Sequence, residues 1–319
     1  VIDVKSPKKT FKLAMLAFMF IFLAGANNQA YAAETEPGAP AAQADKKAIL
    51  VVSFGTSYND ARVANIDSVE NRIKENFKDY EIRRAFTSNI IIKKLAERDK
   101  LMIDTPEQAL DKLKKEGFTQ VLVQPLHIIT GSEYDDVVAV VNKYQANHSF
   151  KKIAVGRPIL YSLGGQYSDG REYPNSYAMA AEALKKQLPA LDSDTAVVLM
   201  GHGTPHPSDA AYACFQMVLQ DAGLDNVLVG TVEGYPSLDD VKKALAEKKI
   251  KKVTLMPFML VAGDHANNDM NGDEDDSWKS QLIKEGYEVD AYMHGLGENP
   301  AFQQMYVRNV RDALAEMNK

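Results

Sequence analysis

A single cysteine, Cys214, in 319 residues rules out any internal disulfide, so the fold must rest on a packed core. That cysteine lies in a helically spaced segment, residues 210–219, and reads as a core thiol rather than a nucleophile. There is no Gly-x-Ser-x-Gly elbow and no His-Glu-x-x-His pair, so the signatures of serine hydrolases and zinc peptidases are missing. Positive charge is not in excess. The formal net charge is −6, and residues 1–32 hold four Lys and one Asp, a net +3, which leaves −9 for the rest. That balance argues against nucleic acid and anionic membrane surfaces as partners. A long hydrophobic run is also lacking, because the one near the N-terminus, residues 13–26, falls short of the roughly 20 residues a spanning helix needs. The acidic run DMNGDEDD, residues 269–276, lacks the spacing and terminal glutamate of an EF-hand and reads as a solvated loop.

What is present begins with Lys5, Lys8, Lys9 and Lys12, the short apolar run, and Ala30-Tyr31-Ala32. Basic, apolar and small-x-small segments in that order spell a secretory signal peptide over residues 1–32, with no membrane span after cleavage and a periplasmic destination. Residues 33–45, rich in Ala, Pro and acid, read as a disordered leader. Beyond them, apolar runs of strand length alternate with helical patterns. Strands are expected at residues 48–57, 80–86, 120–129 and 152–158, then again at 195–202, 226–233, 252–261 and 287–294, with a closing helix at 300–317. Residues 163–174, rich in Gly, Tyr and Asp, read as a loop.

The second series repeats the first. AILVVSFGTS matches AVVLMGHGTP, and VLVQPLHIITGSEYDD matches VTLMPFMLVAGDHANND. The expected fold is α/β: two Rossmann-like lobes, residues 46–175 and 176–319, each a four-stranded parallel sheet flanked by helices. Ligands of such sheets bind beyond the carboxyl ends of the strands, so a cleft between the lobes is the expected site.

Three residues of the second lobe stand at those ends. His202 closes the strand of TAVVLMGHGTP between two glycines that leave its imidazole approachable. Glu233 ends the next strand before Gly-Tyr-Pro, and His265 follows the third in AGDHANND. Two imidazoles and a carboxylate suit a divalent metal, or an acid–base pair around one. Taken singly, each has a plainer reading: a hydrogen-bonded strand-end histidine, or a glutamate capping the next helix. The first lobe diverges at the matching places, with Phe54 opposite His202 and Glu133 opposite His265. His127, opposite Met259, reads as a satisfied histidine inside a buried strand; His148 reads as a loop residue, His206 as exposed, and His294 as a neighbour of the cleft. Arg84 and Arg157 near strand ends suit either the carboxylates of a ligand or ordinary ion pairs.

GHGTPHPSD, VEGYPS and MPFMLVAGDHANNDM together resemble the sirohydrochlorin cobaltochelatases of the CbiK type, class II chelatases grouped with the ferrochelatases. VVSFGTSYNDAR and VQPLHIITGSEYDD extend the likeness to the first lobe, so that it spans about residues 46–317. The resemblance implies insertion of Co²⁺, a substrate rather than a resident cofactor, into sirohydrochlorin or a related tetrapyrrole, with no nucleotide cofactor. It implies His202 and His265 as the metal-site histidines, with Glu233 beside them. The signal peptide departs from the cytoplasmic setting of cobalamin assembly and leaves Fe²⁺ standing beside Co²⁺. A flat macrocycle bearing many carboxylates calls for apolar walls and a basic rim, for which Phe54, Leu126 and Met259, and Arg84 and Arg157, are the candidates. Two other classes fit the same features: an exported metal or tetrapyrrole carrier, and a metal-dependent hydrolase using activated water. Self-association is common for α/β enzymes and is a further expectation.

Overall fold

In the computed structural model, residues 45–166, 170 and 172–319 are described. The expected signal peptide and all of the leader but Asp45 lie outside them. β1 (Lys47–Ser53) shows why its sequence makes a central strand. Ala48, Leu50 and Val52 go to one face and Ile49 and Val51 to the other, and all five are buried, so both faces are apolar. β2 (Glu81–Phe86), β3 (Gln120–Pro125) and β4 (Lys152–Val155) complete a parallel sheet in the order β2-β1-β3-β4.

Within residues 163–174, expected as a loop, β5 (Leu163–Gln166) instead pairs antiparallel with β6 (Glu172–Asn175). Gly164 and Gly165 there take the positive φ values of +88° and +156° that other residues resist. β7 (Thr195–Gly201), β8 (Val227–Thr231), β9 (Lys252–Pro257) and β10 (Glu288–Ala291) then form the second parallel sheet, in the order β10-β9-β7-β8. Read from β8, this is the arrangement of the first sheet, and the internal repeat is a repeat of topology.

Ten α-helices join the strands: α1 (Asn59–Arg62), continuing through a π-turn (Val63–Asp67) into α2 (Ser68–Asn76), α3 (Asn89–Asp99), α4 (Pro106–Lys115), α5 (Ser132–Ala146), α6 (Ser176–Lys185), α7 (Ala210–Asp221), α8 (Leu238–Glu247), α9 (Trp278–Lys284) and α10 (Pro300–Met317) among the described residues. Helices α4 and α5 cover the outer face of the first sheet, and α8 and α9 that of the second. The inner faces share one core, in which Ile49, Val51, Val197 and Leu199 meet Phe215, Phe258, Phe302 and Tyr306. α10 reaches back to pack on α2, β3 and β4, and the Tyr306 hydroxyl donates to the carbonyl of Leu126 at 2.9 Å. Residues 44–319 are thereby one compact unit.

Both third strands stop at proline, earlier than their apolar runs suggest. Leu126 N–H donates to Val52 O at 2.7 Å and Phe258 N–H to Met200 O at 2.8 Å, and the chain then leaves the sheet. The preceding Pro125 and Pro257 have no N–H with which to continue the ladder. His127 consequently lies just past the end of β3, not within a strand.

Candidate active site at the carboxyl ends of the sheets

The loop after β7 is built by close approach. A Cβ on Gly201 would stand 2.4 Å from the ring of Tyr212 on α7, and one on Gly203 would stand 2.6 Å from the backbone nitrogen of Gly234. Gly203 also has φ +79°, a conformation that disfavours any other residue. These contacts draw the ends of β7 and β8 together, and Glu233 N–H donates to His202 O at 2.8 Å. Asp209 locks the arrangement. Its carboxylate accepts Thr204 N–H at 3.1 Å and Tyr235 N–H at 2.7 Å, so one side chain pins the loops that carry His202 and Glu233.

His202 and His265 meet edge to face, with ring centroids 4.7 Å apart and planes at 89°. Nδ1 of His202 lies 2.8 Å from Gly203 O, and Nδ1 of His265 lies 2.7 Å from Oδ2 of Asp269, one helical turn on. A carbonyl and a carboxylate only accept, so each Nδ1 must carry the proton, and in the neutral rings each Nε2 keeps its lone pair for a cation. Asp269 fixes the orientation and tautomer of the His265 ring, the usual duty of a carboxylate behind a metal-binding histidine. Glu233 is exposed at the neighbouring strand end. It does not cap α8, because Ser237 does so in a reciprocal box with Asp240, which leaves the Glu233 carboxylate free of that task. Among the described residues, no three His, Cys, Asp or Glu side chains are close enough to enclose a metal ion. The histidine pair is therefore an open two-imidazole site with a carboxylate on the adjacent strand end.

The first sheet's carboxyl end faces this pair. The Tyr58 hydroxyl donates to Asp264 at 3.1 Å, and His206 Nε2 approaches Asp135 at 3.3 Å, so the loop after each first strand touches the segment that follows the other half's third strand. Burial pushes the Tyr212 hydroxyl up to about 12, and the nearby Glu133 carboxylate adds to that push. A Cβ on Gly131, two residues before Glu133, would stand 3.8 Å from Ser208 Oγ, so the start of α5 lies beside the loop that follows His202, where the duplication places the counterpart of His265.

This geometry has known relatives. The family model described as cobalt chelatase (CbiK) matches residues 47–315. This chain belongs to the cobalt chelatase (CbiK) family. It is 42% identical over 269 residues to a sirohydrochlorin cobaltochelatase of Salmonella typhimurium, covering 84% of this chain and 97% of the relative. It is 34% identical over 274 residues to the sirohydrochlorin cobaltochelatase CbiKC of Nitratidesulfovibrio vulgaris, covering 86% and 92%. Among solved structures it resembles SirB from Bacillus subtilis with Fe³⁺, with a TM-score of 0.55, 20% identity and coverage of 84% and 95%, a likeness of fold.

In this chelatase, the residues expected to wall and rim the cleft fare unequally. Phe54 stays 48% exposed at the end of β1, and Met259 is half-buried past β9. Leu126 is 1% exposed and belongs to the shared core, so it cannot wall a ligand site. The Arg84 guanidinium is held by Glu70 and Asp67 of the helix behind β2, with Nε donating to Glu70 Oε1 at 2.7 Å. Arg157 pairs with Asp312 on α10 and lies over the ring of Tyr161. Both arginines are thus internal ion pairs rather than a rim for carboxylates. His294 is occupied by Glu298 at 2.7 Å, and His148 sits in the turn after α5 with φ +48°. Cys214 is partly buried against the core, where burial pushes its thiol up. Asp269, expected in a solvated loop, instead lies in the helical turn Ala266–Met270 and holds His265, while Asp209 and the exposed Tyr58, Ile90 and Tyr235 near the strand ends were not among the expected site residues.

Proposed function

We propose that this enzyme inserts Co²⁺ into sirohydrochlorin, with Fe²⁺ as a second cation the same ligands would accept. The observation that carries the reading is the His202–His265 pair, two rings at 4.7 Å whose Nδ1 atoms are both engaged by acceptors. The names of the two relatives, each at least 34% identical over most of its length, support the substrate and the metal. The chemistry exchanges one divalent cation for two pyrrole protons. The Nε2 atoms hold the hydrated cation above the macrocycle, and Glu233 or the histidine released by the metal accepts a proton. Imidazole binds Co²⁺ and Fe²⁺ alike, so ligand type does not choose between them. An N-terminal segment with the pattern of a signal peptide supports an exported form of this chelatase.

The test is anaerobic absorption spectroscopy of the enzyme with sirohydrochlorin and either Co²⁺ or Fe²⁺. His202→Ala and His265→Ala are each expected to lower the insertion rate by about 10²-fold or more. A wild-type rate no faster than the uncatalysed one would reject the reading. Stoichiometric tetrapyrrole binding without release of metallated product would identify a carrier instead.

A further inference from the structure

His127 is a buried imidazole that the fold leaves unserved. Its side chain is 10% exposed, and neither ring nitrogen has a hydrogen-bond partner among the described residues. A buried polar group without a partner costs roughly 1–3 kcal/mol. Packing does not require a ring nitrogen here, because the same place in the second half of the duplicated fold is filled by the thioether of Met259. A carboxylate stands close by: Nε2 lies 3.4 Å from Oε2 of Glu133, too far for a good hydrogen bond and close enough to become one with a small rotation. Glu133 is half exposed at the start of α5, where Gly131 and Asp135 lie against Ser208 and His206 of the loop that follows His202.

We propose that His127 is a positioning and proton-storing residue that acts through Glu133 during metal insertion, an inference that rests on the chelatase reading. A pyrrole N–H bond breaks as an O–H bond forms on Glu133, and the lone pair left on nitrogen passes to the incoming metal. That O–H bond then breaks as an N–H bond forms at Nε2 of His127. The carboxylate is restored beside an imidazolium, charge is conserved, and the proton passes to water through the exposed carboxylate when the product leaves. The cleft thus has a proton station on the side opposite the metal, and the second proton need not compete for the imidazoles that hold the cation.

The experiment is a double-mutant cycle in the purified enzyme, with Co²⁺ insertion into sirohydrochlorin as the assay. His127→Met installs the residue of the second half and removes an unpaired polar group, so its Tm should be no lower than that of the wild type. Its kcat should fall about tenfold or more, with KM for sirohydrochlorin and for Co²⁺ within about twofold of wild type. Added to Glu133→Gln, His127→Met should cost no further factor above about twofold, because its path is already cut. An unchanged kcat, a loss confined to KM, or losses that multiply in the double variant would each overturn the proposal. An inactive wild type would strike the chelatase reading itself, whereas an active wild type with an equally active His127→Met would remove this inference alone.

Discussion

Asp209 touches neither cation nor macrocycle in the reading above, yet the site should depend on it. Its carboxylate accepts Thr204 N–H at 3.1 Å and Tyr235 N–H at 2.7 Å, across the two loops that present His202 and Glu233. Hydrogen bonds to a charged group contribute about 1.5–3 kcal/mol each, and these sit at the lower end because Asp209 is only half-buried and water can replace part of what is lost. Asp209→Ala should therefore destabilise the enzyme by about 2–3 kcal/mol, which for a chain of this size lowers Tm by roughly 5 °C. Stability is the smaller consequence. With the pins gone, the backbone ties left between the two strand ends are the Val232 N–H to Gly201 O and Glu233 N–H to His202 O bonds, and the metal-holding rings lose their fixed distance from the carboxylate. Misplacement of that kind costs about 10²-fold in rate, so kcat for Co²⁺ insertion should drop much further than a folded fraction near unity allows. Thermal denaturation followed by circular dichroism, beside initial rates at 25 °C, measures both. If Asp209→Ala melts with the wild type and turns over at the wild-type rate, the loops are held by something else and the argument fails.

Three further outcomes follow from the same geometry. Asp269→Ala should weaken Co²⁺ binding about 10–100-fold by isothermal titration, since it removes the acceptor that fixes the His265 tautomer, and an unchanged affinity would show that the ring is oriented without it. Gly203→Ala forces a side chain into φ +79° and against the Gly234 nitrogen, which is backbone and cannot step aside. It should cost at least about 2 kcal/mol in urea denaturation, and a smaller loss would mean the two loops do not need their close approach. Arg84→Met strands Glu70 and Asp67 and should cost about 3 kcal/mol of stability while leaving KM for sirohydrochlorin unchanged. A KM raised several-fold with an unaltered Tm would return Arg84 to the substrate.

The parallel sheets were legible because central strands, apolar on both faces, read as continuous runs bounded by glycine, serine and proline. Laying those runs side by side exposed the duplication and placed His202 and His265 at equivalent strand ends, where the structure brings their rings together. Local pattern failed where it pointed two ways. α3 has no counterpart among the expected elements because Ile90, Ile91 and Ile92 are β-branched and look like strand; its real signals are the Ser88 cap on Ile91 N–H and a left-handed Lys100 at its end. Partners distant in sequence were invisible altogether. Nothing near Arg157 announces Asp312, 155 residues away, and nothing near Leu126 announces the tyrosine of α10 that helps bury it. Exposure of a side chain at a strand end is a tertiary property, so Phe54 and Leu126 looked alike in the sequence and differ in the fold.

The duplication also explains why one half of the cleft carries the imidazoles. The backbone after the first two strands of each sheet is the same: Ser88 N–H donates to Phe54 O as Glu233 N–H donates to His202 O, and Gly55 and Gly203 share a positive φ. What differs is how each half spends its polar side chains. In the first half the residue matching Glu233 is Ser88, whose hydroxyl is consumed in capping α3, and the residue matching His202 is an exposed phenylalanine. In the second half the capping task moves four residues on, to Ser237, which frees Glu233. Asp269 meanwhile supplies the acceptor that gives His265 its tautomer, one turn along, where the first half has the buried Val137 at the matching position. In the proposed reading, one backbone plan thus yields a side that binds the cation and a side with an exposed phenylalanine and the Glu133 carboxylate beside His127. A symmetric pair of metal sites would hold two cations apart, whereas a macrocycle that takes up one cation and gives up two protons needs unlike surfaces on its two faces.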